Sequence, residues 1–438
     1  MPMTAQTTGE DTLRILDGIK VVEFAQNLAI PMCGRILAGM GADVVKVEPP
    51  TGDAMRSGGD FGPMEAKAYA LINPDKRSMA LDLTSPDAKQ VIEGLFRWAD
   101  VVLVAFKQSD LARYGIDWDH ARAVNPRLIH LTHTPFGPEG PDANQGGYDV
   151  LVQALSGMGF TMNRSENGVP LATRPAVNDN GTGIAGALGV VAALRHRDQT
   201  GEGQRVDVSL LATALNLSLP TVSQFTGDQP VGSYDDRQTA LLSERDAGAP
   251  FDELRHEFET NVMAGQRNFR LYFRHYATSD GLLTVAGLSS GLRAKFHDAT
   301  GIARPAGTLT LADQEFHDIV EEAETLFASE PTGHWLGVLR GAGYPCGRYN
   351  LPFEALNDPQ VRANWFVDDF EHPVAGSYST PGMPMQFSQT PVGFSEPAPL
   401  FAAHTMEVLT EIGLNIEEIQ SLVDTQVVIT DRAQNHDT

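Results

Sequence analysis

Residues 19–47, IKVVEFAQNLAIPMCGRILAGMGADVVKV, decide the fold. Residues 19–24 read as a short buried strand, 29–40 as a helix of small and apolar residues, and 43–47 as a second strand reached through Gly41. Such a strand–helix–strand unit calls for two parallel strands with the helix packed across them.

The same rhythm continues outward. Strands are expected at 78–83, 101–104 and 128–131, with helices starting after Thr84-Ser85-Pro86 and near residues 118–124. Further helices are expected at 148–156 and 182–195, then a strand at 204–208 running into an apolar helix at 210–222. The first half is therefore an α/β lobe with a parallel sheet covered by helices. At Gly227 the character changes: residues 228–259 carry nine acids and three arginines, and their scattered Gly and Pro predict an irregular, solvated insertion.

The expected division is a large domain over 1–225, a small α+β domain over 226–335, and a segment 336–438 that returns to the large domain. The small domain holds a hairpin at 275–287 and helices at 290–300 and 313–328, and a further helix at 334–340 reaches into the third segment. Proline and glycine punctuate 344–399, and a last amphipathic helix at 403–412 precedes a polar tail.

The chain has 438 residues, 42% hydrophobic and 20% charged, enough to bury more than one core and too ordered in composition for wholesale disorder. Thirty-two Lys plus Arg against 56 Asp plus Glu leave a net charge of −24, which repels a polyphosphate backbone and excludes nucleic acid as a first reading. Neither a membrane surface nor a membrane span is indicated. Only Cys33 and Cys346 are present, so no disulfide framework or clustered thiolate site exists, and a reducing cytoplasm fits.

Phosphate-binding glycine fingerprints are missing: Ala25-Gln26-Asn27-Leu28 follows the first strand where a dinucleotide site needs Gly-x-Gly-x-x-Gly. His130-x-x-His133 falls at a strand exit, and no ligand spacing points to a metal. The most suggestive feature is the polar turn Pro175-Ala176-Val177-Asn178-Asp179-Asn180-Gly181 feeding an apolar helix. Asp179 reads either as an N-cap or as a carboxylate held ionised by the helix start and placed as a nucleophile. Asn73-Pro74-Asp75-Lys76-Arg77-Ser78 puts two cations before a strand, a solvated face or, with Arg113, an anion site. Gly147-Tyr148-Asp149 reads as a turn with a buried tyrosine.

In order along the chain, Leu16-Asp17-Gly18-Ile19, Gly41-Ala42-Asp43-Val44-Val45-Lys46-Val47-Glu48-Pro49, Asp75-Lys76-Arg77-Ser78, Gly147-Tyr148-Asp149, the Asp179 turn, Thr200-Gly201-Glu202-Gly203 and Gly343-Tyr344-Pro345 resemble the class III CoA-transferases, the CaiB/BaiF family. The resemblance implies a Rossmann-like large domain, a smaller second domain, and a homodimer of interlocked subunits whose active site lies between the large domain of one and the small domain of the other. It implies no permanently bound cofactor, with a coenzyme A thioester and small carboxylic acids as substrates. Asp179 then attacks the thioester to give an aspartyl-acyl anhydride and next an aspartyl-CoA thioester. Lys76, Arg77 and Arg113 match the cations on the CoA phosphates, Phe106 an aromatic beside the CoA arm, and Gln26 the loop at the thioester. Tyr148 is expected to face the substrate. Apart from the resemblance, Arg174, five residues before Asp179 where many members have glycine, reads either as a partner for a second carboxylate of a dicarboxylic substrate or as an arginine reaching solvent or a neighbouring acid. Pro49 and Ala105 depart from the family pattern, and Phe401-Ala402-Ala403 replaces its usual Leu-Gly-Glu/Gln. An α-methylacyl-CoA racemase would need a histidine where Tyr148 stands, and a non-catalytic CoA-binding protein would have no use for Asp179.

Overall fold

The computed structural model describes residues 13–223, 234–259, 271–304 and 314–430. It divides into two compact units, one of Met1–Phe225 with Pro359–Thr438 and one of Thr226–Asp358.

The first unit begins β1 (Lys20–Phe24), α1 (Ala29–Gly39), β2 (Asp43–Glu48), α2 (Lys67–Ile72), β3 (Lys76–Leu81), α3 (Ala88–Trp98) and β4 (Val101–Val104). It continues through α4 (Gln108–Tyr114), α5 (Trp118–Val124), β5 (Ile129–Thr134), α6 (Asp149–Leu155) and α7 (Met158–Met162) to the short pair β6 (Ser165–Glu166) and β7 (Val169–Pro170). Then come α8 (Val177–Thr200), β8 (Arg205–Ser209), α9 (Leu210–Leu217) and α10 (Leu219–Val222). The second unit holds α11 (Tyr234–Asp246), α12 (Phe251–Glu257), β9 (Phe273–Thr278), β10 (Gly281–Ala286), α13 (Ser290–Thr300), α14 (Gln314–Ala328), α15 (Thr332–Gly341), β11 (Cys346–Arg348) and α16 (Pro352–Ala355). The chain returns as α17 (Pro359–Ala363), β12 (Val367–His372), β13 (Gly376–Pro381), α18 (Thr405–Glu411), α19 (Ile416–Asp424) and β14 (Val428–Ile429).

The first unit is built on a seven-stranded sheet in the order β14-β3-β2-β1-β4-β5-β8, parallel except for β14. Val22 lies between Val45 of β2 and Val102 of β4, and the central strands are buried on both faces, as their unbroken apolar runs require. Ile30, Leu37 and Val190 of α1 and α8 cover one face; Val91, Leu95, Val408 and Leu422 of α3, α18 and α19 cover the other. From β1 the strand order runs one way to β2 and β3 and the other way to β4 and β5. That reversal opens a crevice at the carboxyl ends of β1 and β4, the place where such sheets bind ligands.

The second unit has its own core, with Phe296, Phe327, Trp335 and Tyr344 packed against the three-stranded sheet β11-β10-β9. Its chain runs to Asp358, beyond the expected limit at 335, because β11 pairs Cys346 with Val285 of β10 and the flank of α15 is buried at Trp335 and Leu339. Where an irregular insertion was expected over 228–259, α11 and α12 form; residues 228–233 lie outside the described segment. The good helix formers of 238–245 hold α11 without an apolar period to announce it. The tail read as polar adds α19, whose Asn415 caps the amides of Glu417 and Glu418, and β14, which closes the sheet edge beside β3. Among the described residues no helix is long and apolar enough to cross a membrane.

Under α1 lies a buried ion network. The Lys46 ammonium is 2.9 Å from both Glu23 and Asp53 and donates to the Ala25 carbonyl. Lys76 donates to the other Glu23 oxygen at 2.8 Å, to Asn73 and to the Pro31 carbonyl. Gly34 is required there, since a Cβ would sit 2.0 Å from the Glu23 carboxylate. Burial pulls the Lys46 pKa down, but Glu23, Asp53 and Glu48 outweigh it and hold it above the usual lysine range. Glu23→Ala leaves two buried ammonium groups short of a carboxylate and is expected to cost about 3–5 kcal/mol in urea denaturation. A loss below about 1 kcal/mol would show that the network relaxes freely.

Candidate active site

The carboxyl ends of β1, β4 and β5 and the first turn of α8 enclose a pocket of about 250 Å³. Gln26 to Ile30 enter it after β1, Ala105 to Lys107 after β4, and His133 to Pro135 at the end of β5. The β1 loop is fixed from below. Asn27 holds a φ of 66°, a left-handed conformation that asparagine tolerates, while its N–H donates to Asp53 and Gln26 accepts from the Ala54 N–H. Asp53 is the partner of Lys46, so the loop hangs on the buried ion network.

Asp179 lies in the first turn of α8 and lines the pocket. It is not the N-cap: that position is Ala176, which has no capping side chain. The cap comes from another helix. The buried Asp149, at the start of α6, accepts the N–H of Asn178 at 2.8 Å and of Asp179 at 3.0 Å, and the Gln153 amide donates to its other oxygen. Burial, and secondarily the Asp149 charge, push the Asp179 carboxyl up to about 6. Among the described residues no cation pairs with it. Gly183 lets α8 lie close over α1, because a Cβ there would be 2.7 Å from the Ala29 carbonyl and from Met32.

Of the residues expected at the site, Gln26, Phe106, Tyr148 and Asp179 line the pocket. Tyr148 is 69% exposed, not buried as its turn suggested. Lys76 is elsewhere: its ammonium lies wholly inside the protein on Glu23 and does not line the pocket. Arg77 is held by Asp43, Glu407 and Glu411. Arg113 is exposed on α4 beside Asp110, and Arg174 is exposed; neither lines the pocket. Three residues of the site were not anticipated. Asp149 belongs to the Gly147-Tyr148-Asp149 turn and family motif, where no role was assigned to it, Lys107 supplies the cation among the lining residues, and His133 was weighed only for metal. Cys33 is buried, with burial and Glu23 holding its thiol far above the range in which it would ionise. No group of three metal-binding side chains occurs among the described residues.

Replacing Asp149 by Asn keeps an acceptor for the α8 amides and removes the charge beside Asp179. A carbon-13 NMR titration is expected to give a midpoint near 6 for Asp179 in the native chain and a lower one in Asp149→Asn. An unchanged or raised midpoint would show that Asp149 does not act on Asp179 through charge.

The model for CoA-transferase family III matches residues 16–405. A succinate–glutarate CoA-transferase of Agrobacterium fabrum is 31% identical over 420 residues, covering 91% of this chain and 95% of that protein. A formyl-CoA:oxalate CoA-transferase of Streptomyces avermitilis is 30% identical over 429 residues, covering 95% and 100%. The crystal structure of a CaiB/BaiF family protein from Brucella suis aligns with a TM-score of 0.69 at 26% identity over 91% of this chain and 99% of that one. With the parallel sheet, the switch-point pocket and the aspartate at its edge, these matches make the chain a member of CoA-transferase family III.

Proposed function

We propose that this enzyme moves coenzyme A from an acyl-CoA thioester to a free carboxylic acid, with Asp179 as the nucleophile. The observation that carries the reading is a half-buried carboxylate, free of any cationic partner among the described residues, on a helix start at the edge of a small pocket. Its carboxylate oxygen attacks the thioester carbonyl carbon and the C–S bond breaks, leaving an aspartyl-acyl anhydride and the CoA thiolate. The thiolate attacks the Asp179 carbonyl, which releases the donor acid as its carboxylate and leaves an aspartyl-CoA thioester. The acceptor carboxylate repeats the sequence in reverse and departs as its CoA thioester, so no proton is gained or lost overall.

A carboxylate displaces a thiolate only if the anhydride stays beside the trapped thiolate at high effective concentration and away from water. Phe106 and Lys107, following β4, suit the CoA arm and an anionic group on it, and Arg113 stands exposed next to Tyr114, which packs edge-on against Phe106. A pocket of about 250 Å³ suits short acids, in keeping with the succinate, glutarate, formate and oxalate in the relatives' names. Tyr148 in place of a histidine favours transfer over α-proton abstraction. A cytoplasmic setting and a homodimer belong to the same reading. Ile184, Leu188 and Val191 form an exposed apolar row on α8, with Leu188 71% exposed, as a surface made to be covered would.

In deuterated buffer with a panel of acyl-CoA donors and free acids, an acceptor-CoA product is expected, with Asp179→Ala slower by about a thousandfold or more. Deuterium at the α-carbon without CoA exchange would make the enzyme a racemase instead. By analytical ultracentrifugation the native chain is expected as a dimer and Leu188→Glu as a weakened one. A native monomer at micromolar concentration would refute the pairing.

A further inference from the structure

Strand alternation places Ile129, Leu131 and His133 of β5 on the face covered by α1 and α8, and His130 and Thr132 on the other. On that opposite face His130 is satisfied: Nε2 meets the Ile116 carbonyl at 2.9 Å and Nδ1 the Thr132 hydroxyl at 3.1 Å. His133 is not. Its Nε2 is buried without a hydrogen-bond partner, while the ring lines the pocket that Asp179 also lines. A Cβ added at Gly186 of α8 would lie 3.3 Å from Leu131, so the helix packs on β5 there, and following β5 two residues further leads toward the first turn of that helix. The pocket lining also includes the apolar side chains of Ala29, Ile30 and Leu210. Burial alone holds the imidazole down at about 4, so it is neutral at pH 7 and offers one N–H and one lone pair. Buried polar nitrogens are almost always paired, and an unpartnered one on a ring that lines a ligand pocket gains a partner if a ligand oxygen comes up against it.

We infer that His133 selects the acyl group, its ring hydrogen-bonding an oxygen carried on a short acyl chain (a hydroxyl, keto or second carboxyl oxygen) and so disfavouring hydrocarbon chains of the same length. The inference rests on the proposed function only in taking the pocket to hold the acyl end of a CoA thioester. A site built to pair a substrate's polar group rejects the analogue lacking it, because the protein atom is then buried unpaired.

The test is calorimetric binding of butyryl-CoA, 3-hydroxybutyryl-CoA and succinyl-CoA to Asp179→Ala, alone and combined with His133→Leu or His133→Gln. In Asp179→Ala at least one oxygen-bearing thioester is expected to bind about tenfold or more tightly than butyryl-CoA. His133→Leu should bring that ratio close to unity while butyryl-CoA binds as well or better, and His133→Gln should restore part of the preference. The inference fails if no preference exists, if His133→Leu leaves the ratio intact, if all three thioesters weaken equally, or if none binds. Since Kd ratios need no turnover, a His133-dependent preference in a protein that transfers no CoA would keep this inference and remove the transferase reading.

Discussion

The carboxylate of Asp149 does for α8 what no residue of α8 does for itself. Ala176 has no oxygen to cap the helix, so Asp149 reaches from α6 and accepts the amides of Asn178 and Asp179. That fixes the first turn and with it the direction of the Asp179 side chain. The same charge stands beside Asp179 and, added to the larger effect of burial, makes ionisation harder. With a pKa of about 6 the carboxylate is still roughly nine-tenths ionised at neutral pH, yet more basic than a solvated aspartate. In the proposed mechanism one residue therefore both orients the nucleophile and raises its basicity.

The rest of the site follows from how closely α8 lies on α1. Glycine at 183 permits backbone contact with Ala29, and Ala29 opens the helix that follows the β1 loop. Asp179 and the Gln26 loop thus stand on two sides of one packed interface at the point where the strand order reverses. Beneath them Glu23 joins Lys46 and Lys76, and Lys46 passes the constraint to Asp53 and the Asn27 amide. Buried charges of this kind are costly to expose singly, which makes the loop position hard to vary.

Much of this was legible in the residues. The parallel sheet is written in the apolar runs of β1, β2 and β4, and the Asp179 turn stands out because a polar, glycine-containing segment feeds a long helix. What was not legible depends on depth. Lys76 and Arg77 look alike in sequence, but Lys76 points inward onto Glu23 while Arg77 reaches the rim acids. His130 and His133 look equivalent in sequence, yet three residues apart on a strand they face opposite ways, one satisfied in the core and one lining the pocket. The two-residue strand β14 has no periodicity to read, and α11 has helix formers but no apolar face. Asp149 was hidden because its role lies in amides some thirty residues away.

The most direct measurement is peptide mass spectrometry of the native enzyme mixed with an acyl-CoA donor and quenched into hydroxylamine. An acyl-aspartate or aspartyl-CoA intermediate would convert the peptide containing Asp179 into its hydroxamate, dependent on the donor and lost in Asp179→Asn. A native enzyme that makes acceptor-CoA at full rate while leaving that peptide unmodified, or while modifying another carboxylate, would contradict the assignment of Asp179 as the nucleophile.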